Sequence, residues 1–115
     1  MAPRSVLITG CSRGGAGEAL ARQFHNNGFR VFATAMSLSK IQHLEAEGIE
    51  IVELDVLNNQ SIEKTAGAIS SLTGGTLDIL INNAGAGTFM FMAELLVFRG
   101  GLIRTNEKQV TSYHF

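Results

Sequence analysis

Cysteine and tyrosine are each represented once in these 115 residues, and tryptophan not at all. The lone cysteine, Cys11, excludes an internal disulfide and fits a reducing compartment. With one cysteine and three histidines no ligand cluster for a metal can be assembled, so no metal site is predicted. Neither sign of charge dominates. Nine basic against ten acidic residues leave a net charge of −1, and nothing points to a nucleic-acid partner. Long hydrophobic runs are missing too: the longest oily stretch, Phe89 to Phe98, is ten residues and contains Glu94, too short to span a bilayer. Met1-Ala2-Pro3-Arg4 leads into a short apolar run and does not resemble a signal peptide, so a cytoplasmic location is expected. There is no internal repeat, low-complexity tract or interdomain linker. What remains is 45% hydrophobic and 17% charged, the balance of one small globular domain with a modest core.

Glycine, by contrast, is concentrated at one place. Val6-Leu7-Ile8-Thr9 is an apolar run; Gly10-Cys11-Ser12-Arg13-Gly14-Gly15-Ala16-Gly17 follows it, and Glu18-Ala19-Leu20-Ala21-Arg22-Gln23-Phe24 then reads as helix. A strand, a glycine turn and a helix start in that order make a phosphate site. Glycine permits tight turns and close approach of a ligand, and the free N–H groups of a first helical turn attract anions. The plainer alternative is a glycine-rich connection with no ligand.

The rest of the chain alternates strand and helix patterns. Residues 5–9 form the first predicted strand; Ala16, Leu20 and Phe24 lie on one face of the first helix, stopped by Asn27-Gly28. Aromatic and β-branched residues make 29–34 the second strand. Leu38, Ile41 and Leu44 form a helical stripe, 49–54 the third strand, and 61–72 a helix with Ile62, Ala66 and Ile69 inward, broken by Gly74-Gly75. Residues 77–81 are the fourth strand, an apolar run suited to burial on both faces. Phe24, Phe29 and Phe32 are core candidates, and His25 and His43, on predicted helices among charged residues, are expected to face solvent. Strands separated by helices imply parallel pairing with right-handed crossovers. The expected fold is α/β: the N-terminal portion, truncated, of a Rossmann-type doubly wound sheet, with about four strands in the order 3-2-1-4 and about three helices.

The glycine loop narrows the nucleotide class. A triphosphate-binding loop needs Lys and then Ser or Thr after Gly15, where this chain has Ala16-Gly17; the ordinary G-x-G-x-x-G spacing fails at Leu20. Thr9-Gly10 followed by Gly15-Ala16-Gly17, together with Leu54-Asp55-Val56 and Asn82-Asn83-Ala84-Gly85, resembles the short-chain dehydrogenase/reductase superfamily over residues 4 to about 88. The extra glycine in Cys11-Ser12-Arg13-Gly14-Gly15, with Arg30-Val31-Phe32-Ala33-Thr34-Ala35 and Gly74-Gly75-Thr76-Leu77-Asp78-Ile79-Leu80, is similar to a fungal branch, that of the NADPH-dependent 1-acyldihydroxyacetone phosphate reductases.

The resemblance implies an NADP(H)-dependent reduction of a carbonyl to an alcohol and assigns the cofactor residues. Gly10, Gly15 and Gly17 would let the backbone reach the pyrophosphate, with Ser12 donating a hydrogen bond. Asp55 would accept from the adenine amino group, its alternative being a turn or helix cap. Asn82, Ala84 and Gly85 would line the ribose. The end of the second strand, Thr34-Ala35-Met36-Ser37, holds no carboxylate to repel a 2′-phosphate, and Arg13 could pair with it, assisted by Thr34 and Lys40. The branch also implies a lipid-derived carbonyl substrate, oligomeric full-length relatives, and a site at the endoplasmic reticulum or lipid droplets.

The family's catalytic residues are not found. It uses a Tyr-x-x-x-Lys pair with an upstream Ser, whereas the single tyrosine here, Tyr113, follows every lysine (Lys40, Lys64 and Lys108), and Ser112 adjoins it. Residues 1–88 are thus assigned as the NADP-binding half and 89–115 as a divergent tail without family motifs, with no catalytic residue. A non-catalytic nucleotide-binding fragment is the alternative to an oxidoreductase. Without a next strand, 77–81 is expected to become an apolar sheet edge.

Overall fold

The computed structural model describes residues 3–83 together with the short segments 104–105 and 110–112. In chain order the elements are β1 (Ser5–Ile8), α1 (Ala16–Asn26), β2 (Arg30–Ala35), a 3-10 turn (Leu38–Lys40), α2 (Gln42–Glu45), β3 (Glu50–Glu53), α3 (Asn59–Thr73), β4 (Thr76–Leu77), β5 (Ile79–Asn82), β6 (Arg104–Thr105) and β7 (Val110–Ser112). The main sheet has five strands in the order β3-β2-β1-β5-β7, and β4 pairs separately with β6. All of these pairings are parallel, with Leu7 opposite both Phe32 and Leu80. The expected 3-2-1-4 core of a Rossmann-type sheet is present.

Strand alternation explains the two cores. Side chains of successive strand residues point to opposite faces, so Leu7 joins Phe32, Ile62, Ala66, Ile69 and Leu80 on the α3 side. Val6 and Ile8 join Ala21, Val31, Ala33, Ile41, Leu44 and Ile81 on the other. Leu7, Phe32 and Ile69 are completely buried, and each such side chain contributes roughly 1.5–3 kcal/mol through removal from water. Phe24 and Phe29 are half-buried at the rim of the second core, ring edge to ring face at 5.0 Å.

Three expectations are corrected. The stripe Leu38-Ile41-Leu44 is not one helix: Ile41, fully buried and at φ −131°, takes the chain out of helical geometry, and Leu38 is left exposed. The fourth strand is split at Asp78, whose Oδ2 accepts from the Ser5 N–H at 2.8 Å while its own N–H donates to Ser5 Oγ at 3.2 Å. In α1 Gly17, Glu18 and Ala21 are the buried residues, while Leu20 and Phe24 of the expected face pack partly buried against the same core, the first turn being seated against the loop after β1. Nor is the fourth strand an open edge, since β7 pairs with β5, placing Leu80 opposite Val110 and Ile81 opposite Thr111. The stretch 89–98 lies outside the described residues. Among the described residues no helix is long and apolar enough to cross a membrane.

Arg30 ties three elements together at the amino end of β2. Its guanidinium donates to both carboxylate oxygens of Glu50 at 2.7 and 2.9 Å, to the Leu72 carbonyl at 2.8 Å, and lies 5.0 Å from the centre of the Phe32 ring.

Candidate functional site

At the carboxyl end of the sheet the loop after β1 is pinned to its neighbours by backbone bonds. Thr9 N–H donates to the Ile81 carbonyl at 3.1 Å, and Cys11 N–H to the Thr34 carbonyl at 2.8 Å. Gly10 makes the turn between these anchors at φ +70°, a conformation that side chains resist. The Gly15 N–H donates to the Ser12 carbonyl, closing the loop, and Gly15 then caps α1 without a side-chain partner. The amides of Ala16, Gly17 and Glu18 stand at the open start of the helix, and none has an acceptor among the described residues. Such donors, at the positive end of the helix dipole, are what an anion binds.

Gly17 is where the loop, the helix and β5 meet. A Cβ there would lie 2.3 Å from the Gly10 carbonyl oxygen and 2.8 Å from Asn83 Nδ2. Asn83 fastens the junction: its Nδ2 donates to the Gly10 carbonyl at 3.0 Å and its backbone N–H to Thr9 Oγ1 at 2.9 Å. Its Oδ1 is buried with no hydrogen-bond partner among the described residues. Sequence reasoning named Asn82, Ala84 and Gly85 but passed over Asn83. The doubled asparagine was the available signal, since one residue's shift in a strand exchanges the face that a side chain occupies.

The first turn of α1 also holds a buried carboxylate. Glu18, 8% exposed, accepts from the Gly14 N–H at 3.3 Å and from Arg22 Nη1 at 3.1 Å, while its Oε2 is bonded to His43 Nε2. The bond from His43 chiefly holds the Glu18 carboxyl below its ordinary range; burial opposes this, and the Gly14 amide and Arg22 reinforce it. Arg22 in turn donates to both Glu47 oxygens at 2.9 and 2.8 Å, which raises the guanidinium and lowers the Glu47 carboxyl. His43 is therefore not solvent-facing: its side chain is 16% exposed and joins α2 to α1. His25, also expected in solvent, is half-buried, with its ring close to Gly48. The Cys11 thiol donates to the Ile8 carbonyl, and burial pushes its pKa up to about 12, which keeps it protonated and unreactive at neutral pH.

The other residues named from the sequence are distributed as follows. Gly10, Ser12, Arg13 and Gly15 share the loop and Gly17 lies in the first turn of α1, with Arg13 exposed and Ser12 half-buried. Thr34 is buried in β2 with its hydroxyl donating to the Ile8 carbonyl at 3.2 Å, and Lys40 ends the exposed 3-10 turn. Asp55 follows β3; its Oδ1 caps a turn by accepting from Leu57 N–H at 2.9 Å, and its own N–H donates to Ser61 Oγ. Asn82 is the last residue of β5. Ala84 and Gly85 lie outside the described residues, as does Tyr113.

Comparison with known proteins shows the family. The profile of the short chain dehydrogenase family matches residues 4–98. The chain belongs to the short-chain dehydrogenase family. It is 52% identical over 83 residues to the short-chain dehydrogenase cctT of Talaromyces islandicus, covering 71% of this chain and 29% of that protein. It is 45% identical over 85 residues to the NADPH-dependent 1-acyldihydroxyacetone phosphate reductase of Schizosaccharomyces pombe, covering 74% of this chain and 29% of that one. Among solved structures, a short-chain dehydrogenase from Streptomyces avermitilis superposes with a TM-score of 0.68 at 30% identity, over 74% of this chain and 32% of the other. The chain spans about a third of the length of the curated relatives it matches.

Proposed function

We propose that these residues bind the adenosine–pyrophosphate portion of NADP(H), as the cofactor half of an oxidoreductase that reduces a carbonyl to an alcohol. The observation that carries this reading is the cradle at Gly17: a Cβ would collide with Gly10 and Asn83, and the amides of the first turn have no acceptor among the described residues. A pyrophosphate fits that chemistry, since it needs donors in close contact and tolerates no side chain between. When bound, the nicotinamide supplies the hydride. Gly10, Gly15 and Gly17 shape the backbone around the phosphates, and Ser12 adds a hydroxyl donor. Asp55 would accept from the adenine amino group through the carboxylate oxygen not engaged by Leu57, and Asn82, Ala84 and Gly85 would line the ribose.

Preference for the 2′-phosphate rests on Arg13, with Lys40 assisting, because the Thr34 hydroxyl is already engaged by the Ile8 carbonyl. The end of β2 carries no carboxylate, and Met36 there is 63% exposed. The name of the fission yeast relative supports 1-acyldihydroxyacetone phosphate, or a chemically similar lipid-derived ketone, as the substrate class, and with it a site at the endoplasmic reticulum or lipid droplets. Within the 115 residues no lysine follows Tyr113. General acid–base catalysis contributes roughly 10²–10⁴-fold, so this chain on its own is read as binding cofactor without turning it over.

Calorimetric titration of the 115-residue chain with NADPH and NADH tests the reading. A charge-assisted hydrogen bond is worth about 1.5–3 kcal/mol, a roughly tenfold to hundredfold preference for NADPH, with screening favouring the lower end. Arg13→Ala is expected to erase most of that preference and leave NADH affinity unchanged. An unaltered preference in the variant moves the role to Lys40; tighter NADH than NADPH in the parent refutes the assignment.

A further inference from the structure

The carboxylate of Glu18 stands at an unexpected place. It is buried in the same helical turn whose amides face the proposed pyrophosphate, where an uncompensated negative charge opposes anion binding. Two features offset it. Its Oε1 accepts from the Gly14 N–H at 3.3 Å, so that it also holds the glycine loop, and it is shared with Arg22 at 3.1 Å. Its Oε2 is bonded to His43 of α2, which lies beyond β2 in the chain. Arg22 is itself committed to Glu47 through paired bonds at 2.9 and 2.8 Å. The compensation left for Glu18 therefore depends on whether His43 carries a proton.

We propose that Glu18 is a positioning residue for the phosphate loop, and that the proton on His43 sets how tightly the loop holds a pyrophosphate. With His43 protonated, the charges of Glu18, Glu47, Arg22 and His43 cancel. With His43 neutral, one negative charge is left at the start of α1. The groups facing His43 are Glu18 and Arg22 from α1 and Glu47 from the turn after α2, with His25 of α1 further along, against Gly48. Arginine stays charged throughout and the carboxyls of Glu18 and Glu47 are both held below their ordinary range, whereas imidazole is the kind of side chain whose charge changes near neutral pH. Removing one compensating charge near a phosphate weakens binding about threefold to tenfold at an effective dielectric between protein and water.

This inference rests on the dinucleotide reading, and its test separates the two. NAD+ is the probe, because it lacks the 2′-phosphate that would titrate in the same range. Its affinity for the parent chain is expected to fall about threefold to tenfold from pH 5.5 to 8. His43→Gln, which cannot ionise, is expected to show a flat profile at the parent's high-pH value. The second readout needs no ligand: amide exchange at Gly14 should quicken in Glu18→Ala and be largely restored in Glu18→Gln, which keeps an acceptor. Should Glu18→Ala fail to fold, the comparison of Glu18→Gln with the parent still shows a smaller acceleration. A flat profile in the parent, or an unchanged slope in His43→Gln, overturns the role of His43. Parent-like exchange at Gly14 in Glu18→Ala overturns the clamp. If the parent binds neither NAD+ nor NADPH, the dinucleotide reading falls and the pH effect with it, while the exchange at Gly14 still decides whether Glu18 holds the loop.

Discussion

Replacing Gly17 by alanine is the most severe single-methyl test of the site. The added Cβ would sit 2.3 Å from the Gly10 carbonyl oxygen and 2.8 Å from Asn83 Nδ2, against an ordinary contact of roughly 3.5–4.0 Å. The obstructing atom is backbone, held in a turn that β1, β2 and β5 all anchor, so relief requires α1 to move away by about 1 Å. Overpacking of this kind costs roughly 1–3 kcal/mol, and loss of the Asn83–Gly10 bond adds about 0.5–1.5 kcal/mol. Alanine's better helix propensity returns up to about 1 kcal/mol, leaving a net destabilisation of about 0.5–4.5 kcal/mol with a centre near 2.5 kcal/mol. For a domain of this size the central value is a fall in Tm of about 10 °C. Urea and thermal unfolding followed by circular dichroism measure it, and titration with NADPH on the folded variant should show at least a tenfold loss. An unfolding midpoint within error of the parent's, combined with unchanged cofactor affinity, would refute the tight packing on which the site was assigned.

Gly67 is the natural contrast: a Cβ there meets nothing within 4 Å in the interior of α3, so Gly67→Ala should raise stability by about 0.5–1 kcal/mol in the same urea titration. Cys11, completely buried, should resist alkylation at pH 8 until the chain is unfolded in denaturant; rapid labelling of native protein would contradict its burial. Its raised pKa also fixes an alkaline limit. Stability from the neutral thiol is complete below the ordinary value of 9.0 and is lost as pH climbs toward about 12, at about 1.4 kcal/mol per unit. Cys11→Ala should flatten that part of the pH profile. Asp78→Ala removes both acceptor contacts to Ser5 and should cost about 1–3 kcal/mol by leaving the Ser5 amide unmatched; a neutral effect would mean that water replaces it.

Hydrophobic patterning made the sheet and its strand order legible, because Leu7, Phe32 and Leu80 belong to apolar runs that can only be buried on both faces. Ile62, Ala66 and Ile69 likewise announced the buried face of α3. Less legible was whatever depended on side chains satisfying one another at long range. Leu38, Ile41 and Leu44 share helical spacing, yet Ile41 leaves helical geometry to fill the core; spacing carries no information about φ. Asp78 looked like part of an apolar strand until Ser5, at the other end of the chain segment, claimed its carboxylate. The same holds at the site. Gly10 and Gly17 were visible from the glycine spacing, but Asn83, Glu18 and His43 acquire meaning only through partners 73, 4 and 25 residues distant. Thr34 was placed correctly at the end of β2, while its alternation inward could not be separated from an outward one in so apolar a strand.

The bonds that close the glycine loop run almost the whole length of residues 3–83. Asn83 reaches Thr9 and Gly10 across sequence separations of 74 and 73 residues, and Ser5 meets Asp78 across 73. During synthesis the loop leaves the ribosome more than 70 residues ahead of its fasteners. Until residue 83 has emerged, the Gly10 carbonyl has no side-chain amide to receive. The nascent chain therefore carries the residues of β1, α1 and β2 well before the junction at Gly10 is complete. On the proposed reading, cofactor capture waits for the arrival of one asparagine.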